Sequence, residues 1–92
     1  MMDEIYIAKK AISLYGKEAQ IWMAIEEMAE LNNALAKHRR NRVTDIDVCE
    51  EIADVYIMMV QLSYIFGIED VSSIIESKIK RLEERMNKHE TK

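Results

Sequence analysis

Two stretches decide how this chain folds: QIWMAIEEMAEL at residues 20–31 and VCEEIADVYIMMVQL at residues 48–62. Each stretch carries two carboxylates three positions apart, among apolar residues that recur at helical spacing. Residues three apart lie on the same face of an α-helix, so each stretch predicts a pair of carboxylates beside an apolar stripe. The four carboxylates belong to Glu27, Glu30, Glu51 and Asp54. Because an unpaired charge next to a core is costly, the pattern calls for a counterion, and a hard divalent cation suits carboxylate oxygens.

The composition predicts an all-α protein in a single domain that covers residues 1–92. The sequence has no proline and only two glycines, Gly16 and Gly67, so few positions interrupt a helix. Hydrophobic residues make up 49% of the 92 residues, more than one buried face per helix can hold in so small a domain. We therefore expect an oligomer in which further apolar surface is buried between copies of the chain.

Charge, cysteine content and hydropathy bear on the partners and the cellular location of the protein. A formal net charge of −4 argues against nucleic acids and anionic membranes as partners. The single cysteine, Cys49, excludes an internal disulfide, and its place in an apolar helix favours a small buried thiol. The most apolar run, residues 52–68, is shorter than the roughly 20 residues of a membrane-spanning helix, and the acidic N-terminus lacks a secretory signal pattern. We expect a cytosolic protein.

Apolar spacing and capping residues predict four helices. The expected bounds are residues 4–15, 17–40 and 45–66, and a last helix from about residue 71 to near the C-terminus. The expected caps are Asp3, Thr44 with Asp47, and Asp70, and the expected stops are Gly16 and Gly67. The short connection at residues 41–44 predicts that the second and third helices form a central antiparallel hairpin. Six consecutive apolar residues at positions 55–60 predict a third helix that is buried on nearly all sides.

The hairpin would bring the two acidic pairs together. In an antiparallel pair of helices, the numbers of any two residues at the same height add up to the same sum. Glu27 with Asp54 and Glu30 with Glu51 have equal sums, so each pair is expected at one height. Four carboxylates that meet between two helices repel one another unless cations are bound. Mg²⁺ prefers oxygen ligands and keeps waters and phosphate oxygens in its shell, so the predicted chemistry is metal-assisted attack on a phosphate ester or anhydride.

Other chemistries fit the sequence less well. Carboxylate-bridged di-iron bundles use a Glu-x-x-His pair, but neither His38 nor His89 stands three residues after a glutamate. The sequence shows no zinc-ligand spacing, glycine-rich phosphate loop or serine–histidine–acid set. Three alternatives from other classes stay open: acidic outer faces bonded to lysines, a non-catalytic helical scaffold, and a regulatory module that binds a nucleotide without cleaving it.

A basic run follows the first acidic pair along the second helix. It consists of Lys37, His38, Arg39, Arg40 and Arg42. Such a run can be a phosphate or nucleic-acid site, but cations are also favoured at a helix C-terminus by the helix dipole. The second interpretation is favoured here.

The two opening stretches resemble the paired ExxE and ExxD blocks of the MazG-like all-α nucleoside triphosphate pyrophosphohydrolases. The segment SKIKRLEERM at residues 77–86 is similar to the closing basic segment of that family. The resemblance covers about residues 16–86. It implies hydrolysis of a (deoxy)nucleoside triphosphate, canonical or non-canonical, to the monophosphate and pyrophosphate by a homodimer or homotetramer.

The resemblance also implies roles for individual residues. The ligands of Mg²⁺, or of Mn²⁺ as a substitute, would be Glu27, Glu30, Glu51 and Asp54. Glu26 or Glu50 would orient a ligand or the attacking water. The triphosphate would be met by Lys78, Arg81 and Arg85, since cations neutralise its charge.

Gln20 and Trp22, just before the first acidic pair, are further candidates for substrate binding. An aromatic ring at position 22 can stack on a nucleobase, but it can equally pack against the first helix or a neighbouring subunit. The sequence does not identify the base.

Overall fold

The computed structural model of the chain describes residues 3–91, which form four α-helices and no β-strand. The helices are α1 (Glu4–Tyr15), α2 (Lys17–Arg39), α3 (Asp45–Phe66) and α4 (Ile68–Glu90). The prediction of an all-α chain with four helices is therefore confirmed.

Local capping chemistry sets the starts of α1 and α3. The Asp3 carboxylate accepts hydrogen bonds from the backbone N–H groups of Ile5 and Tyr6, at 3.0 and 3.2 Å. Thr44 and Asp47 form a reciprocal capping box, in which each side chain bonds the other residue's backbone N–H. The backbone and side-chain hydrogen bonds from Thr44 lower the pKa of the Asp47 carboxyl. Both predicted caps are confirmed.

The start of α4 differs from the prediction. The helix begins at Ile68, ahead of the predicted start near Val71, and its N-cap is Gly67 with φ 133° rather than Asp70. A single glycine therefore both ends α3 and begins α4, because a positive φ reverses the chain without a longer turn. Asp70 lies within the first turn, where a carboxylate interacts favourably with the helix dipole.

α3 is the one helix that contacts the other three. Its most extensive contact is with α2, α1 packs against both, and within residues 3–91 α4 contacts only α3. Polar side chains also join α1 to α3: the Tyr56 hydroxyl donates to a Glu4 carboxylate oxygen at 2.6 Å, and the Lys9 ammonium lies 4.8 Å from the Tyr64 ring centroid.

A buried amide pair links α2 to α3. Gln20 Nε2 donates a hydrogen bond to Gln61 Oε1 at 2.7 Å, and the two residues are only 6% and 5% exposed. The other buried side chains are Ala8, Ala24 and Met58. A buried amide is costly unless it is hydrogen-bonded, so this pair favours one alignment of the two helices over neighbouring ones.

The single chain leaves much of its apolar surface uncovered. Its radius of gyration is 16.5 Å, whereas a compact chain of this length has about 12 Å. The prediction that α3 is buried on nearly all sides is wrong for the isolated chain, since Tyr56, Ile57 and Met59 are each about half exposed. Cys49 was expected to be buried and is instead exposed, on an apolar groove between α1 and α3.

Within residues 3–91, no single helix is both long enough and apolar enough to cross a membrane. Only α3 and α4 taken together pass, and they are bent by 116° relative to each other.

The amide pair predicts a specific stability effect. Replacing Gln61 with Leu leaves the buried Gln20 amide without its partner, so the free energy of unfolding should fall by about 1–3 kcal/mol. Urea unfolding followed by circular dichroism measures this loss. The double variant Q20L/Q61L, which removes both polar groups, should recover most of it. Equal stability of Gln61→Leu and the wild type would show that the pair does not hold α2 against α3.

Candidate metal centre

Three carboxylates from two helices converge at one place. Glu27 on α2 and Glu51 and Asp54 on α3 each offer one oxygen, and these oxygens all lie within 4.8 Å of one another. We call these three residues the carboxylate cluster. Glu27 and Glu51 are half-buried and Asp54 is exposed. The structure thus brings together three of the four predicted metal-ligating residues.

Glu30, the fourth predicted ligand, borders the cluster. Its side chain is exposed, and it lies one helical turn from Glu27 on α2. Its charge contributes to the raised pKa values of both Glu27 and Glu51. Glu30 also lines a groove together with Glu51, but its carboxylate is not one of those that converge.

Two oxygens of the cluster lack partners. Glu27 Oε2 and Glu51 Oε2 are shielded from solvent and accept no hydrogen bond from any described residue. A shielded carboxylate oxygen without a donor costs folding free energy, so such atoms are rare unless they bind something else. A divalent cation that takes oxygen ligands fits these two atoms, because it would replace the missing donors and offset the negative charge.

The environment of the cluster disfavours its ionisation. Burial, followed by the charges of Glu30, Asp54 and Glu51, raises the pKa of the Glu27 carboxyl. Burial, followed by the charges of Glu30 and Asp54, likewise raises the pKa of Glu51. Both effects are those expected of acidic groups that lie close together with no cation between them.

Positive side chains of the chain do not neutralise the cluster. Within residues 3–91 the one contact at ion-pair distance between a basic and an acidic side chain joins His38 Nε2 to Asp45 Oδ1 at 2.6 Å, between the end of α2 and the start of α3. No described lysine or arginine therefore lies within ion-pair distance of Glu27, Glu51 or Asp54. This geometry disfavours the alternative in which the acidic residues are simply bonded to lysines.

The two neighbouring glutamates stand outside the cluster. Glu26 and Glu50 are exposed, and each precedes a cluster residue along its helix. Their charges are the weakest of the causes that raise the pKa of Glu27 and of Glu51, respectively. They add no oxygen to the converging set.

The predicted substrate-binding residues are dispersed. Gln20 is engaged with Gln61, and Trp22 is 64% exposed on α2. The basic residues of the fourth helix are also exposed: Lys78, Arg81 and Arg85. Because α4 contacts α3 but not α2, no helix contact within the described chain brings these cations to Glu27.

Sequence reasoning missed a groove that adjoins the cluster. This groove, which we call the turn-side groove, has a volume of about 280 Å³ and lies between α2 and α3. Its lining residues are Glu30, Asn33, Ala34, Lys37, Val43, Asp47 and Glu51. The spacing of positions 27, 30, 34 and 37 places them on one face of the second helix, which indicated that Lys37 lies on the same side as the acidic pair. This indication was overlooked because Lys37 belongs to a basic run that the dipole at a helix C-terminus explains by itself.

Comparisons of the chain with models of protein families, with curated proteins and with solved structures found no match. The resemblance to MazG-like pyrophosphohydrolases therefore stays a prediction. What supports a function is the geometry of the carboxylate cluster.

The raised pKa of Glu27 predicts how stability depends on pH. A carboxyl whose pKa is higher in the folded state than in the unfolded state destabilises the fold once it ionises. The free energy of unfolding therefore falls as pH rises from the unfolded pKa, about 4.3, through the folded value. Glu27→Gln should therefore raise the melting temperature of the metal-free protein at pH 7, and the gain should vanish at pH 4.

Differential scanning calorimetry in EDTA measures this difference. Glu76→Gln, which removes an exposed glutamate of α4, is the matched control and should leave the melting temperature unchanged. Adding Mg²⁺ should stabilise the wild type more than Glu27→Gln. A Glu27→Gln protein that melts no higher than the wild type in EDTA at pH 7 would mean that the carboxylates are not crowded.

Proposed function

We propose that this chain is a Mg²⁺-dependent nucleoside triphosphate pyrophosphohydrolase. One observation carries the proposal: two shielded, unpartnered carboxylate oxygens, from Glu27 on α2 and Glu51 on α3, lie in a cluster that no described cation neutralises. Acid-rich sites of this kind suit hard divalent cations, and bound Mg²⁺ suits phosphate oxygens. The resemblance of both acidic stretches to MazG-like proteins names the reaction class.

The ligands in this proposal are the cluster residues Glu27, Glu51 and Asp54, with Glu30 as the fourth. These residues would hold Mg²⁺, or Mn²⁺ in its place, and the bound metal would lower the pKa of a water and neutralise phosphate charge. In the overall reaction a water oxygen bonds to the α-phosphorus and gives up a proton to solvent, while the bond from the α-phosphorus to the α,β-bridging oxygen breaks and releases pyrophosphate. Glu26 or Glu50 would orient a ligand carboxylate or the attacking water, and no protein nucleophile is required.

The same proposal includes an assembly. The residue numbers of Gln20 and Gln61 have the same sum as those of each predicted carboxylate pair. Their hydrogen bond therefore supports an antiparallel α2–α3 hairpin. α4 buries no residue, although an apolar stripe runs along it. Exposed members of the stripe are Ile74, Ile75, Ile79, Leu82 and Met86. A homodimer or homotetramer would cover this stripe and complete a larger helical bundle.

In such an assembly, α4 would be held against further helices, and its cations could meet a triphosphate at the cluster. These cations are Lys78, Arg81 and Arg85. The net charge of −4 is consistent with an acidic cytosolic enzyme. Its partners in this proposal are a nucleoside triphosphate and copies of itself.

The activity is tested by pyrophosphate release from a panel of canonical and modified nucleoside triphosphates, with Mg²⁺ and with EDTA. We expect turnover only with the metal, and a fall in kcat/KM on the order of a hundredfold or more for Glu27→Gln and for Asp54→Asn. Glu76→Gln again serves as the control. Absence of turnover for every substrate, or full activity in both cluster variants, would contradict the enzymatic function and favour a scaffold or a nucleotide-binding module.

The assembly is tested separately by sedimentation velocity. The wild type should sediment well above its 10.8 kDa chain mass. Ile79→Asp places a charge in the apolar stripe of α4 and should weaken the assembly at micromolar concentration, whereas Lys80→Asp, at the adjacent position, should not. A wild type that sediments as a monomer would contradict this part of the proposal.

A further inference from the structure

The turn-side groove begins at the carboxylate cluster and runs toward the connection between α2 and α3. Glu51 belongs to both the cluster and the groove, and Glu30 borders the first and lines the second. An anion whose metal-bound end lies near Glu51 therefore has space in the groove for its other end. The groove's volume of about 280 Å³ is sufficient for a few phosphate groups or a small organic moiety.

Among the residues that the structure describes, Lys37 is the one cation that lines this groove. It follows Glu30 by seven positions, so the two side chains lie on the same face of α2, about 10 Å apart along the helix axis. The flexible stem of a lysine lets its ammonium move along such a groove, and the ammonium acts as a point charge for phosphate.

The hydrogen-bonding capacity of Lys37 is not used by an acidic neighbour. Three carboxylates line the groove beside it, those of Glu30, Asp47 and Glu51, yet none forms an ion pair with Lys37 within the described chain. Asp47 is already engaged by the backbone N–H and hydroxyl of Thr44. The helix dipole explains why a cation stands near the end of α2, but it does not explain why this one lines the groove.

The rest of the basic run is arranged differently. His38 bonds Asp45, and Arg39, Arg40 and Arg42 do not line the groove. The cations of α4 are on a helix that contacts only α3. Within the described residues, Lys37 is thus the cation that lines the groove sharing Glu51 with the cluster.

We propose that Lys37 binds a phosphate group of a polyphosphate whose metal-bound end lies at the carboxylate cluster. Asn33, which lines the same groove, supplies an amide donor beside it. The inference rests on the proposed metal site and deepens it, because it assigns to α2 of the same chain a phosphate contact that the family resemblance implies only for α4. The ligand class is a polyphosphate chain, either inorganic or attached to a nucleoside.

The test measures binding rather than turnover. Isothermal titration calorimetry with saturating Mg²⁺ gives the affinity for inorganic tripolyphosphate and, in a second series, for a deoxynucleoside triphosphate whose α,β-bridging oxygen is replaced by an imido group. Lys37→Met should weaken both by about tenfold or more, since a charge-assisted hydrogen bond is lost. Lys37→Arg should keep most of the affinity. Stabilisation by Mg²⁺ alone should be the same in Lys37→Met and the wild type.

Arg39→Met is the matched control, because it removes the same charge from the same helix end but from a residue outside the groove. It should bind tripolyphosphate like the wild type. Equal affinities of Lys37→Met and the wild type would overturn the proposal, and so would equal losses in Lys37→Met and Arg39→Met, which would indicate only a diffuse charge effect. Absence of tripolyphosphate binding by the wild type would overturn it as well.

The two series separate this inference from the proposed function. If tripolyphosphate binding depends on Lys37 but the wild type releases no pyrophosphate from any nucleotide, the role of Lys37 is supported and the hydrolase is contradicted. If the wild type releases pyrophosphate and Lys37→Met binds both ligands as tightly as the wild type, the hydrolase is supported and the role of Lys37 is overturned. Weakened binding of the nucleotide analogue alone would show that Lys37 contacts the nucleoside end instead, which also overturns a polyphosphate contact.

Discussion

Repulsion among carboxylates that two helices hold together is the constraint on which the rest of the structure depends. Glu27, Glu51 and Asp54 bring their oxygens within 4.8 Å of one another, and Glu30 adds a fourth negative charge at the border. Two of the oxygens are shielded and unpartnered, so the repulsion is weakly screened by water. α2 and α3 can maintain this arrangement only if other contacts hold them together or a cation offsets the charge.

Contacts around the cluster supply part of that support. The buried Gln20–Gln61 pair ties α2 to α3, and Tyr56 and Glu4 tie α1 to α3. The apolar core is small, since among the hydrophobic residues between positions 3 and 91 only Ala8, Ala24 and Met58 are buried. A chain with so little core and so many exposed apolar side chains gains further burial most simply by association, which is why the metal site and the assembly are proposed together.

The sequence predicted features that arise from local chemistry. The caps at Asp3 and at Thr44 with Asp47 follow from side chains that bond backbone groups two or three residues away, and the convergence of Glu27 with Asp54 follows from helical periodicity and a short connection. Features that depend on distant parts of the chain were not predictable in the same way.

The Gln20–Gln61 bond joins residues 41 positions apart, and a glutamine before an acidic motif was just as compatible with a substrate contact. The start of α4 was misplaced because Gly67 needs no further residues to reverse the chain. Lys37 was explained by the helix dipole, and only the packing of α2 on α3 shows that it lines a groove. The exposure of α3 likewise depends on which helices of the chain pack against it, which no local pattern encodes.

The central claim is that these carboxylates form one divalent-metal site, and anomalous X-ray scattering from crystals grown with Mn²⁺ tests it most directly. The account predicts anomalous difference density between Glu27, Glu51 and Asp54, with Mg²⁺ in excess reducing the peak. Well-ordered crystals that show no density at this position, or Mn²⁺ bound only elsewhere on the protein, would contradict it.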